Sequence, residues 1–238
     1  MKILVPSYKR AGHCSTMHIL PSAKVVVPES QAEQYERYYP GRVITIDDAL
    51  DGNISKKRNA ILEMLAPRQA CWMVDDDLKR VHRIKHGFVD DVEQLLETFA
   101  NLADDMQLYF GGFSIYRDPV RCLEFAPFSL TKPSYACVYI RNDPAVRYDE
   151  HLANGEDVDI YLQYMLKHRM VFRDNRYFFE FACNQDIPNQ KKTQVGGIEY
   201  DMQRQKQVLK RLIKKWGSQF INVKDGKMNG VRQPIRGS

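Results

Sequence analysis

No stretch of this 238-residue chain approaches the roughly 20 apolar residues that span a bilayer. The apolar runs are short, as in Val25-Val26-Val27 and Cys71-Trp72-Met73-Val74. No membrane association is expected. Cysteine is scarce: five residues at positions 14, 71, 122, 137 and 183, odd in number and without a CxxC pair. That excludes a disulfide ladder and fits reduced thiols in a cytoplasmic protein. The first residues reach Pro6 and then Tyr8-Lys9-Arg10 too soon for a signal peptide, so no cleaved leader is expected. There is no internal repeat, low-complexity tract or long linker. With 44% apolar and 27% charged residues, disorder, collagen and coiled coil are poor readings.

Charge is present but uneven. Residues 190–238 hold 12 Lys/Arg and 3 Asp/Glu, a net of +9. Taken from the totals of 35 and 30, this leaves 23 basic and 27 acidic residues in 1–189, a net of −4. A basic C-terminal segment on an acidic body suggests a polyanionic partner; a solvated helix face is the plain alternative.

Apolar patterning predicts strands over 2–6, 23–27, 42–46 and 70–74. Helices are predicted over 29–38, with Tyr35 and Tyr38 on one side, and over 53–66. Strands alternating with helices indicate an α/β fold with a mostly parallel sheet. A helix follows over 91–106, then β-rich pieces over 112–116 and 134–141. Next come a helix over 156–167, strands over 170–172 and 177–181, and a basic amphipathic helix over 199–216.

Two acidic clusters carry the chemistry. Asp75-Asp76-Asp77 follows an apolar strand, where three carboxylates repel one another. A divalent cation with oxygen ligands would hold them and take a diphosphate. Ligand crevices in α/β sheets lie at the carboxyl ends of strands, which is where the triplet falls. The second cluster, Asn154-Gly155-Glu156-Asp157-Val158-Asp159, precedes a helix. Capping alone could account for it, or one acid could serve as general base toward an attacking hydroxyl.

In order, four pieces resemble a GT-A glycosyltransferase: Val5-Pro6-Ser7-Tyr8-Lys9-Arg10, Lys57-Arg58-Asn59, Asp75-Asp76-Asp77 as a DxD motif, and Gly155-Glu156-Asp157-Val158-Asp159 as an ED motif. Within that fold the chain most resembles the TET-associated glycosyltransferase group of bacteriophages. The features are Pro28-Glu29, Tyr35, Tyr39-Pro40, Arg58-Asn59 and Trp72-Met73-Val74-Asp75-Asp76-Asp77. The resemblance implies a GT-A-like, Rossmann-type sheet flanked by helices, with a β-rich acceptor half and a basic C-terminal helix. It implies one domain: a nucleotide-sugar-binding half (1–110), an acceptor and catalytic half (111–198), and a basic helix and tail (199–238). The implied donor is a UDP-sugar or other nucleoside-diphosphate sugar, with Mn²⁺ or Mg²⁺. The implied acceptor is the hydroxyl of a 5-hydroxymethylcytosine- or 5-hydroxymethyluracil-type pyrimidine in phage DNA. The implied setting is the cytoplasm of an infected bacterium, without a stable protein partner.

The resemblance also distributes roles. Asp77 would ligate the metal, and Asp75 would hold it or the ribose. Asp76, the middle acid, would bind the nucleotide sugar. Asp157 is the base candidate, with Glu156 second. Pro6, Tyr8, Arg10, Arg58 and Asn59 would bind the nucleotide sugar. So would Gly196 and Gly197, in a loop that closes over the donor. A third metal ligand is open between water and Asn184, since His168 falls within the helix that begins at the ED motif. Gly111-Gly112 is a second place for backbone to approach a ligand, or a turn. The alternatives are the same fold acting on a polysaccharide, lipid or small acceptor, a nucleotidyltransferase, and a non-catalytic DNA-binding module.

Overall fold

The computed structural model describes residues 1–115, 126–152, 154–182, 194–195, 198–199, 202–224 and 227–231. The chain first lays down a βα series: β1 (Lys2–Pro6), α1 (Thr16–Ile19), β2 (Lys24–Pro28), α2 (Ala32–Glu36), β3 (Val43–Ile46), α3 (Ile54–Glu63) and β4 (Ala70–Val74). Val and Ile dominate the first three strands, where β-branched side chains pack well on a pleated surface. Asn53 caps α3 by accepting from the Lys56 N–H at 2.9 Å. The four strands lie parallel in the order β3-β2-β1-β4, with Val5 opposite Val25 and Ile3 opposite Trp72.

The chain continues with β5 (Leu78–Arg83), β6 (Gly87–Phe88), α4 (Val92–Asp105), β7 (Phe110–Ser114), β8 (Phe128–Ser129), β9 (Cys137–Arg141), α5 (Glu156–His168) and β10 (Phe172–Phe181). These strands extend the sheet as β4-β9-β7-β10-β5-β6, with β8 on β10. β9 runs antiparallel to both its neighbours, and β10 runs parallel to β7. The end of the chain adds the short pair β11 (Gln194–Val195) and β12 (Ile198–Glu199), then α6 (Met202–Trp216) and the hairpin β13 (Ile221–Lys224) with β14 (Lys227–Val231).

Side-chain parity sorts the strands between two cores. Ile3, Val5, Trp72 and Val74 face one layer, which α4 closes with Leu96 and Phe99. The Trp72 ring meets Phe99 edge-on at 5.0 Å, and its Nε1–H donates to the Leu96 carbonyl. Leu4, Cys71 and Met73 face the other layer, which α3, α5 and Leu209 and Leu212 of α6 close.

Several expectations are corrected. The strands expected over 170–172 and 177–181 are one strand, Phe172–Phe181, because a register shift against β7 carries the chain across the polar stretch between Asp174 and Phe178. Tyr35 is buried but Tyr38 is exposed, because α2 ends at Glu36. Gly111-Gly112 lies inside β7 rather than in a turn, packed against the neighbouring strands. A Cβ on Gly111 would sit 2.5 Å from the Phe172 carbonyl of the neighbouring strand. The segment after the acid triplet, for which no element is predicted above, is β5, and the tail after α6 contains a hairpin.

Candidate active site

The triplet leaves β4 at the carboxyl ends of the parallel strands, facing the loop after β1. The middle acid, Asp76, is buried and accepts from Arg10 Nη1 and Ser7 Oγ. Ser7 Oγ also bonds the Tyr35 hydroxyl at 2.8 Å, and that hydroxyl accepts the Arg10 N–H at 2.9 Å. Burial pushes the Asp76 carboxyl upward, while Arg10 and Ser7 pull it back. Asp76 therefore holds the β1 loop in place. Arg10, expected at the phosphates or the base, has its Nη1 on this acid. Pro6 is the buried last residue of β1.

Asp75 is part-exposed. Its Oδ1 accepts from Arg58 Nη2 at 2.7 Å. Asp77 receives no hydrogen bond from a described side chain; burial, with Asp75 and Asp76 beside it, pushes its carboxyl up to about 7. Nε of Arg10 and Nε of Arg58 are buried without a partner among the described residues. The triplet thus combines crowded carboxylates with unmet N–H donors. That donor set fits a divalent cation and a diphosphate. Among the described residues no three His, Cys, Asp or Glu side chains converge as a metal cage. A cation here would rest on Asp75 and Asp77 and complete its shell with phosphate and water oxygens, as Mg²⁺ sites commonly do.

Arg58 sits on α3, nearly buried, and its other nitrogen, Nη1, donates to Glu156 Oε1 at 2.9 Å. One guanidinium therefore joins the two acidic clusters. Its charge lies 5.5 Å over the Tyr148 ring. Asn59, next on α3, uses its amide on the loop ahead of α5. It donates to the Tyr148 carbonyl and Glu150 Oε1 and accepts from the Tyr148 N–H. In this structure it orients that loop.

The ED motif opens α5 at Gly155, whose φ of +77° is left-handed. A Cβ there would also meet Leu212 of α6 at 3.1 Å. Burial and the neighbouring Asp157 raise Glu156, and Arg58 opposes them. Burial raises Asp157 as well, against Arg58. Asp157 accepts only the Val158 N–H among the described groups, at 2.7 Å. It is the acid of this motif without an ion pair. Asp159 is fully buried and takes Lys215 Nζ at 2.6 Å, Trp216 Nε1 at 2.8 Å and Gln163 Nε2 at 2.7 Å.

Beside the β1 loop an open cleft of about 570 Å³ is lined by Tyr8, Lys9, Gln31, Gln34, Asp48 and Asp51, among others. The Tyr8 ring is exposed there. Lys57, buried on α3, donates to the Ser7 carbonyl and pairs with Asp51 at 3.1 Å. The anchoring roles of Ser7, Tyr35, Asp51 and Lys57 escaped the sequence reading. Ser7, Tyr35 and Lys57 stand within the stretches singled out there, and Asp51 carried no local signal. His168 is engaged elsewhere, bonded to Asp143 at 2.9 Å and stacked on Tyr109 at 3.7 Å. Asn184, Gly196 and Gly197 lie outside the described residues.

The basic helix α6 packs on α5. Arg211 pairs with Asp149 and Lys215 with Asp159, while Lys206, Lys210 and Lys214 are exposed. No helix among the described residues is long and apolar enough to cross a membrane.

A family model described as TET-associated glycosyltransferase matches residues 1–197. No curated protein matches the sequence. Among solved structures, S. aureus TarS 1-349 superposes with a TM-score of 0.51 at 15% identity, over 94% of this chain and 76% of that one. The same protein in complex with UDP gives 0.49 at 16% identity, with the same coverage. At this identity the first superposition shows a shared fold, and the UDP of the second carries no argument for this chain.

Proposed function

The chain belongs to the TET-associated glycosyltransferase family and is a glycosyltransferase that uses a nucleotide sugar; from that premise we propose metal-dependent, inverting transfer to a hydroxyl of a modified pyrimidine in DNA, of the 5-hydroxymethylcytosine or 5-hydroxymethyluracil type. The observation that carries the catalytic reading is the convergence of both acidic motifs on Arg58. The acceptor rests on the family and on the excess of basic charge after residue 190. The corresponding setting is the cytoplasm of a phage-infected bacterium.

In this reading the cleft beside Tyr8 receives the nucleotide base, with Gln31, Gln34, Asp48 and Asp51 as polar partners. Arg10 and Ser7 keep Asp76 in place, so the loop is preformed. A divalent cation held by Asp75 and Asp77 with diphosphate oxygens would offset the charge of the departing nucleotide. Arg58 fixes Glu156 and thereby the first turn of α5. Asp157 takes the proton of the acceptor hydroxyl as its oxygen bonds the anomeric carbon and the bond to the diphosphate breaks. A raised carboxyl is a better base than an ordinary Asp near neutral pH. Because a 5-substituent projects into the major groove, the base need not leave the stack completely. Residues 1–110 would bind the donor, 111–198 the acceptor, and the loop with Gly196-Gly197 would cover the diphosphate.

The test is release of nucleoside diphosphate from a panel of UDP- and GDP-sugars with Mn²⁺, with and without DNA carrying hydroxymethylated pyrimidines. Release from one donor that rises with that DNA is the expected outcome. Release indifferent to DNA would move the acceptor to a polysaccharide, lipid or small molecule.

A further inference from the structure

The ribbon that leaves the acid triplet has a charge pattern that the chemistry above does not use. Residues 78–88 contain Lys79, Arg80, Arg83 and Lys85, two histidines, and no Asp or Glu. They form β5 and β6, and β5 also pairs with β10. One face of this ribbon, with Val81 and Phe179, belongs to the core. On the other face the register sets His82 opposite both Phe178 and Phe88. The His82 ring stacks on Phe178 at 4.1 Å and lies 4.8 Å from Phe88.

Phe88 is 59% exposed on a two-residue strand at the sheet edge, and the Arg80 guanidinium lies 5.2 Å over its ring. Arg83, exposed at the far end of β5, falls on the Val81 side of the ribbon, 6.0 Å from the Tyr177 ring. Glu180, opposite Arg80 on the His82 side, is bonded by His82 at 2.8 Å.

The ribbon starts at the candidate active site. Leu78 follows Asp77 directly, and the Ala182 N–H just after β10 donates to the Asp77 carbonyl at 2.8 Å. At about 3.4 Å per residue, Arg83 stands roughly 20 Å along the strand from Asp77. An edge ribbon with an exposed ring and an exposed guanidinium group on either side suits a polynucleotide: the charges meet phosphates and the ring stacks on a base. By contrast, α6 has two of its cations committed to Asp149 and Asp159.

We infer that the β5–β6 edge of the sheet is the surface that holds the DNA strand carrying the acceptor, with Phe88 stacking on a base and Arg80 and Arg83, from the two sides of the ribbon, meeting its phosphates. This rests on the DNA-acceptor reading above. The surface extends the donor-side site rather than duplicating it, since none of these side chains is a candidate base or metal ligand.

The test uses the full chain and fluorescence anisotropy with a labelled single-stranded oligonucleotide containing 5-hydroxymethylcytosine, over a series of salt concentrations. The variants are Arg80→Glu with Arg83→Glu, Phe88→Ala, and Lys206→Glu with Lys210→Glu and Lys214→Glu on α6. A thermal shift with UDP checks the fold and donor site of each. The double reversal is expected to weaken binding by at least about tenfold and to flatten the salt slope by about two contacts. Phe88→Ala is expected to cost about fivefold or more with little change in slope. The α6 triple variant stays within about threefold. Should the double reversal fail to fold, Arg80→Gln with Arg83→Gln gives the same readout.

Wild-type binding with undiminished binding by the ribbon variants, or a loss confined to the α6 variant, would overturn this surface and leave the DNA acceptor standing. No wild-type binding even at low salt, with donor turnover intact, would overturn the DNA acceptor and this inference with it.

Discussion

In the triplet Asp75-Asp76-Asp77 the buried acid is the middle one, held by Arg10 and Ser7. In the cluster of Glu156, Asp157 and Asp159 it is the last, held by Lys215, Trp216 and Gln163. Each motif then gives one acid to Arg58, Asp75 from the first and Glu156 from the second. Each keeps one acid, Asp77 or Asp157, without an ion pair among the described residues. The same three-way division arises from different partners. The buried acids anchor a loop and a helix, the shared arginine sets the spacing of the motifs, and the unpaired acids are left for a ligand or a proton. Burial raises the paired Asp76 and Glu156 as well as the unpaired Asp77 and Asp157, so the division lies in the ion pairs and not in the titration.

The comparison can be broken most severely at Asp157. Asp157→Asn is expected to lower the rate of sugar transfer by about 10²- to 10⁴-fold, the usual worth of a general base. Nucleotide affinity should stay near wild type, as measured by UDP binding in parallel. A Glu156→Gln variant should lose less; equal losses from the two would mean that the motif has been divided wrongly.

Removing the shared cation comes next. Arg58→Ala leaves Glu156 enclosed without a partner and Asp75 only partly relieved by solvent. The expected loss of unfolding free energy in urea is about 3 kcal/mol, the low end of the range for a broken buried pair. Adding Glu156→Gln should restore part of it. A loss unaffected by the second change would show that the pairing with Glu156 is not what stabilises the junction.

A smaller effect is expected at Asp159→Asn, which weakens the attachment of α6 to α5. Removing a buried charged acceptor should cost about 1–3 kcal/mol, and limited proteolysis should cut sooner around α6. If α6 stays as protected as in the wild type, packing through Leu209 and Leu212 alone holds it.

The mildest test is pH. The folded Asp157 carboxyl is raised, so its proton leaves at a higher pH than from an ordinary Asp. A base must be deprotonated, so kcat/KM should rise with pH through this carboxyl and fall away below it. The acid limb should therefore lie above the usual carboxylate range. A limb that persists in Asp157→Asn would remove Asp157 from the role, and one that vanishes there but lies at the ordinary Asp value would leave the base and overturn the raised carboxyl.

Much of this was legible in the chain itself. Short β-branched strands alternating with one-faced helices announce the α/β series. An apolar lead-in before three acids, or a helix beginning at acids, marks a motif by composition alone. The hairpin after α6 also had its signal, an Asp225-Gly226 pair between polar strands. β5 did not. Its exposed face carries Lys and Arg, and its buried face only Leu78 and Val81, so no clear alternation stands out.

What the sequence determined by itself was the set of candidate acids and their order along the chain, one cluster after a strand and one opening a helix, because periodicity and local composition are properties of neighbouring residues. Which acid is spent and which is available was decided by tertiary structure alone. Arg58 lies 98 residues from Glu156 and 17 from Asp75, and Arg10 lies 66 from Asp76. A carboxylate's charge, protonation and freedom depend on groups within a few ångströms, and only the folded sheet brings those groups together.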